Sequence, residues 1–181
     1  MKESHAVTAD LPTLAKLFYA SPDQLGTFER VAAEAMPRRF RELLAHDNHM
    51  TVTVESFHDS PVDVQVLEKQ ISPKAYARKI LLTRQSDGSV VQYGIMRVLK
   101  AHLSEAVRRD IESEAVPLGR ILIEHNLLRQ VELVALWKVT PGDELQQLLL
   151  MEPEDITYGR TALIHVAGEP AVQLLEIVTP R

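Results

Sequence analysis

Ile156-Thr-Tyr-Gly-Arg-Thr-Ala-Leu-Ile-His-Val166, then Ala167-Gly-Glu-Pro170, then Ala171-Val-Gln-Leu-Leu-Glu-Ile-Val178 reads as two strands closed by a turn. Both runs are rich in β-branched and apolar residues, and the interruption between them supplies turn formers. Side chains alternate along a strand, so Val172, Leu174, Glu176 and Val178 share one face. Glu176 is therefore a carboxylate on an apolar parity. Arg160 stands out in the same way among Tyr158, Ala162 and Ile164.

Working outward, a second hairpin is expected from Tyr76 to Thr83 and Ser89 to Leu99 around Gln85-Ser86-Asp87-Gly88, where Asp-Gly suits a tight reversal. Its first strand puts Arg78 among Tyr76, Ile80 and Leu82, while Lys79 points the other way. Met50 to Phe57 and Val62 to Val66 also alternate apolar with polar and predict a third hairpin across His58-Asp59-Ser60-Pro61. Helices are expected over Leu11, Leu14, Ala15 and Phe18 after Asp10, over Leu25, Phe28 and Ala32 after Ser21-Pro22, and over Phe40, Leu43 and Leu44 after Pro37. A helix carrying Leu103, Ala106, Val107 and Ile111 precedes a turn at Pro117-Leu118-Gly119. A strand from Gln130 to Val139 and a short helix from Leu145 to Leu149 complete the pattern. Antiparallel hairpins with separate helices predict an α+β fold, one twisted antiparallel sheet with helices packed on one side. No repeat or flexible linker divides the chain, so residues 1–181 are expected to form a single domain.

The chain has 181 residues, 45% of them apolar and 25% charged, and no cysteine. Disulfides, thiolate nucleophiles and cysteine-based zinc sites are thereby excluded. No apolar run is long enough to cross a membrane, and Met1 to Asp10 lacks the pattern of a secretory signal, which leads to the expectation of a cytoplasmic protein. The net charge of −5 argues against nucleic acid as a partner. It also means that an anionic ligand would need local, inward-pointing arginines.

Inward charge is costly unless paired, so one reading has Arg78 or Arg160 neutralising Glu176 in a structural ion pair. Another leaves this face exposed and its charges solvated. A third is a closed pocket in which an arginine grips a carboxylate while Glu176 meets a hydroxyl or ether oxygen. Alternation alone does not separate them. His46, Asp47, His49 and His58 lie near one another in sequence, but on a loop entering a strand they lack helical i, i+4 spacing and a third ligand, so no metal is expected. No Gly-x-Ser-x-Gly elbow supports a hydrolase triad.

Four segments in order carry a resemblance: Ala35-Met-Pro-Arg-Arg-Phe40, Tyr76-Ala-Arg-Lys-Ile-Leu-Leu82, Val116-Pro-Leu-Gly-Arg120, and Gly168-Glu-Pro-Ala-Val-Gln-Leu-Leu-Glu-Ile-Val-Thr-Pro180. They resemble the chorismate pyruvate-lyase family. The resemblance implies a chorismate lyase-like fold with an enclosed ligand pocket and a lyase that needs no cofactor. It would eliminate pyruvate from chorismate to give 4-hydroxybenzoate, or 3-hydroxybenzoate if the other ring substituent leaves. It further implies that Arg78 holds the ring carboxylate, that Glu176 meets the ring hydroxyl, and that Met36 and the main chain of Leu118 line the site. Arg78 and Glu176 would be the catalytic residues, with Arg160 or Arg120 as partner to the second carboxylate. The segment from Trp137 to Met151 looks longer than its counterpart in that family, which suggests a different lid.

The same fold serves as the effector-binding domain of GntR-type regulators, so the alternative is a non-catalytic binder or sensor of aromatic acids. The residues before Arg78 are few, not basic, and read as including a strand hairpin, which disfavours an attached DNA-binding domain.

Overall fold

The computed structural model describes residues 7–127 and 129–179, so Pro180 of the fourth motif and the first six residues of the N-terminal segment lie outside the described residues. Strands β1 (Gly26–Val31), β2 (Val62–Ile71), β3 (Ala75–Arg84), β4 (Val90–Leu99), β5 (Arg129–Pro141), β6 (Thr157–Val166) and β7 (Glu169–Val178) form one antiparallel sheet. Their spatial order is β1-β5-β6-β7-β4-β3-β2. The helices are α1 (Leu11–Ala15), α2 (Arg38–Leu44), α3 (Met50–His58), α4 (Glu105–Glu112), α5 (Leu118–Glu124) and α6 (Asp143–Leu149). The fold is the expected α+β architecture, one antiparallel sheet with separate helices.

The β6–β7 hairpin turns at Ala167 and Gly168, both with positive φ (+53° and +85°). Two such residues in a row give the reversal whose twist matches that of the flanking strands. The β3–β4 hairpin turns where Asp87-Gly88 predicts, with Gly88 at φ +74° and its N–H donating to the Arg84 carbonyl at 2.8 Å. Pro37 caps α2, as its position implies.

Three expectations are corrected. Leu25, Phe28 and Ala32 mimic a helical spacing, yet Gly26–Val31 is the edge strand β1, paired along its whole length with β5. Pairing with a long neighbour outweighs the weak local period. Met50–His58 is not a strand but α3: its alternation is coincidental, and Met50, Thr51 and Val54 form the buried stripe of a helix that Asp59 ends in the left-handed conformation. β-Branched residues cost a helix only a few tenths of a kcal/mol each, less than packing on a neighbour returns. The partner of β2 is therefore β3. The turn at Pro117-Leu118-Gly119 is the start of α5, with Pro117 as its cap.

Helices α2, α3, α4 and α5 cover one face of the sheet, the helix layer expected on one side. The opposite face carries a thinner cover, in which Leu11 and Leu14 of α1 and Leu145 and Leu149 of α6 pack on Tyr93, Ile95, Leu175 and Ile177. Trp137 to Met151 thus feeds that second face and is not a lid. The middle of β3, β4 and β7 is buried on both sides. Among the described residues no helix is long and apolar enough to cross a membrane.

Gly159 lies where β6 and β7 approach closely, and a Cβ there would sit 2.7 Å from the Glu176 carbonyl oxygen. Gly159→Ala is expected to lower unfolding free energy by about 2 kcal/mol, read as an earlier urea midpoint at unchanged slope.

Candidate functional site

Ladder pairing aligns the odd residues of the sequence on one face. Arg160 of β6 stands opposite Glu176 of β7, Glu176 opposite Gly94 of β4, and Gly94 opposite Ile80 of β3. Two positions further along β3, Arg78 stands opposite Met96. Over this face α3 and α5 form a roof, touching where Gly119 leaves room for Thr51: a Cβ at Gly119 would meet the Thr51 hydroxyl at 2.9 Å. Arg120 and Glu55 join the two helices by an ion pair, and Glu55 also accepts from the Val62 N–H at 3.1 Å.

Between sheet and roof lies a cavity offering about 50 Å3 to the centres of water-sized spheres, lined among others by Met50, Arg78, Gln92, Leu118, Arg160 and Glu176. One water needs roughly 10–15 Å3 by this measure and displaces about 30 Å3 of liquid. The space therefore suits a ligand on the order of 100–150 Å3, the size of a single-ring acid and too small for a nucleotide. His49 and Val131 line both this cavity and an outer groove bordered by Val52, Phe57 and Ile123.

Arg160 is fully buried and each of its three nitrogens is engaged. Its Nε donates to Glu176 Oε2 at 2.7 Å, Nη1 to the His46 carbonyl at 2.8 Å and Nη2 to the Asn48 carbonyl at 3.0 Å. Of the readings that alternation leaves open, the structural ion pair is present, and Arg160 is the partner that makes it. Arg78 is left without a carboxylate among the described residues, its polar side-chain neighbour being the Tyr76 hydroxyl. It is 1% exposed, its Nε has no hydrogen-bond partner, and Nη1 makes one long bond of 3.4 Å to the Ile111 carbonyl. Among the described residues no carboxylate lies within ion-pair distance of it. Burial pushes its pKa down, opposed by Tyr76 and by Glu114 acting at longer range. Glu114 is itself held by Lys69 at 2.7 Å and by the Tyr76 hydroxyl at 3.0 Å. Burial drives that hydroxyl's pKa up to about 12, so it remains a donor.

Of the residues named from sequence, the cavity brings together Arg78, Leu118, Arg160 and Glu176. Met36 is buried beside it, in the cluster with Phe40 and Ile80, without lining it. Arg120 does not reach the cavity, because Glu55 holds it between the roof helices. Gln92 was missed, although it shares an apolar parity with Met96 and Val98 and the rule that exposed Arg78 would have found it. Gln92 is 3% exposed and its Oε1 accepts no hydrogen bond from a protein group. Among the described residues no group of three or more metal-ligating side chains converges.

His46 supports the ion pair from the roof side. Its Nε2 donates to the Leu43 carbonyl at 2.7 Å, while Nδ1 accepts from the Asn48 N–H at 3.1 Å and faces Arg160 Nη1 at 3.4 Å. Desolvation, then the Arg160 charge, lowers its pKa.

Neither a protein family nor a curated protein matches the chain. Solved structures do. The effector domain of PhnF from Mycobacterium smegmatis aligns at a TM-score of 0.53 and 8% identity, covering 74% of this chain and 89% of that one. The PhnF structure from the same organism aligns at 0.52 and 8% identity, covering 74% of this chain and 64% of that one. The ligand-binding domain of a putative GntR-family regulator from Bordetella bronchiseptica aligns at 0.47 and 13% identity, covering 66% of this chain and 85% of that one. At these identities the likeness is one of fold.

Two outcomes follow. Arg160→Met strands Glu176 in a dry site and is expected to cost about 3–5 kcal/mol; adding Glu176→Leu should restore much of the loss, measured as a urea double-mutant cycle. The fold also resists protonating His46, so its contribution is complete above the ordinary imidazole pKa and is lost as pH falls below it. His46→Gln should flatten the decline in stability from about pH 7 to about pH 5, in part only, because burial depresses His58 as well.

Proposed function

We infer that the chain binds a compact single-ring carboxylic acid in this cavity. The carboxylate would lie on Arg78, the ring between the sheet and the roof helices, and a polar substituent toward Glu176. One observation carries this: a fully buried guanidinium with no carboxylate at ion-pair distance among the described residues, facing a cavity of the right size. Such a charge is costly in the empty protein, and an anion converts the cost into affinity through paired, charge-assisted hydrogen bonds. The structural neighbours are described as effector and ligand-binding domains, which supports a sensing role.

A second reading is the lyase itself, favoured by Arg78 and Glu176 lining one cavity as the resemblance implies. Chorismate would lose the bond between ring and ether oxygen together with the hydrogen on the hydroxyl-bearing carbon. The products are 4-hydroxybenzoate and enolpyruvate, which takes up a proton as pyruvate. Positioning and fixed charge would suffice, since aromatisation supplies the driving force. Against it stands the second carboxylate of chorismate. Arg160 is committed to Glu176 and two carbonyls, and Arg120 is held by Glu55.

Titration calorimetry with benzoate and 4-hydroxybenzoate, beside incubation with chorismate and assay of pyruvate and aromatic product, separates the readings. Binding without turnover supports the sensor, and pyruvate with 4-hydroxybenzoate supports the lyase. Neither binding nor turnover would sink both. Arg78→Met is expected to weaken benzoate binding by about 10–100-fold.

A further inference from the structure

Gln92 gives the far end of the cavity its chemistry. On β4 it stands two residues from Gly94, and Gly94 is directly opposite Glu176. Gln92 and Glu176 are therefore diagonal neighbours on one face, with Cα atoms roughly 7–8 Å apart, and the glycine puts no side chain between them. Glu176 gives Oε2 to Arg160 and keeps Oε1. Gln92 Oε1 is buried without a donor. Two acceptors on neighbouring strands thus line the same cavity. Arg78 is at the other end, opposite Met96 and so four residues along β4 from Gln92, about 13 Å of strand. Ile80, Gly94 and Leu174 lie between and leave a slot for a ring.

A phenolic hydroxyl has one hydrogen and satisfies one of the two acceptors. A primary aromatic amine has two hydrogens, which at ordinary hydrogen-bond lengths reach acceptors roughly 5 Å apart. We propose that Gln92, acting with Glu176, makes the cavity selective for a ring carboxylic acid whose remote end carries a primary amino group, in preference to the hydroxy analogue. This rests on the reading that places the carboxylate on Arg78.

The test is calorimetric titration of benzoate, 4-hydroxybenzoate and 4-aminobenzoate into the wild-type chain and Gln92→Leu. The wild type is expected to bind the amino acid about tenfold more tightly than the hydroxy acid. Gln92→Leu should abolish that preference, bringing the ratio to about one. A wild-type ratio at or below one overturns the proposal even if the variant fails to fold, and so does a preference that survives in Gln92→Leu. In either case Arg78-dependent benzoate binding would leave the underlying reading standing. Absence of benzoate binding to the wild type overturns that reading and the selectivity with it.

Discussion

Arg160 and Glu176 face each other across β6 and β7 at 2.7 Å, in a sheet whose central strands are covered on both sides. Neither charge could remain there without the other, because desolvation exceeds what the surrounding dipoles return. The pair does more than cancel charge. The two terminal nitrogens of Arg160 take the carbonyls of His46 and Asn48, which belong to the connection between α2 and α3. One guanidinium therefore fixes Glu176 at the cavity wall and anchors the chain that leads into the roof. Among the described residues it also absorbs the carboxylate placed to neutralise Arg78 from across the sheet.

Adjacent residues on β3 show what that leaves behind. Lys79 points to the far face, where it is 5% exposed and meets two carboxylates, Glu68 and Glu144, each at 2.9 Å, with the Tyr19 ring 4.9 Å away. Arg78, one residue earlier and as deeply buried, has no carboxylate at ion-pair distance among the described residues. The same fold, on the same strand, neutralises one cation completely and leaves the next open. A cost of folding would be relieved wherever carboxylates are within reach, and Glu114 is near but is drawn instead to Lys69 and Tyr76. The asymmetry between Lys79 and Arg78 is what the proposed binding role of Arg78 rests on.

The hairpins β3–β4 and β6–β7 were legible because strong turn residues and strand alternation agree there, as they did for Arg78, Arg160 and Glu176. α3 was not legible. Met50-Thr-Val-Thr-Val alternates as a strand does, and what makes it a helix is the surface of α2 and α5 beneath it, a tertiary cause absent from the local pattern. β1 failed for the mirror reason, since only β5 supplies its pairing. In the site, parity could say that Glu176 must be paired but not by which arginine, because Arg78 and Arg160 share its face. Only the ladder, which puts Arg160 directly opposite and Arg78 two strands away, decides. Arg120 was drawn in by its place in a motif, and the partner that holds it lies 65 residues away.

Fold likeness and site chemistry pull apart at this point. A sheet of this architecture can enclose an effector or a substrate, and function belongs to the groups that line the cavity. Those groups here are one uncommitted cation and, at the far end, two acceptors with an apolar span between them. A dicarboxylate would need a second cation, and recruiting Arg160 would expose Glu176 and release the carbonyls that hold the roof. A monocarboxylate asks for no such exchange: it fills the deficit at Arg78 and leaves the ion pair intact. On the proposed reading, a preference for one carboxylate over two would arise from the bonds already made by Arg160.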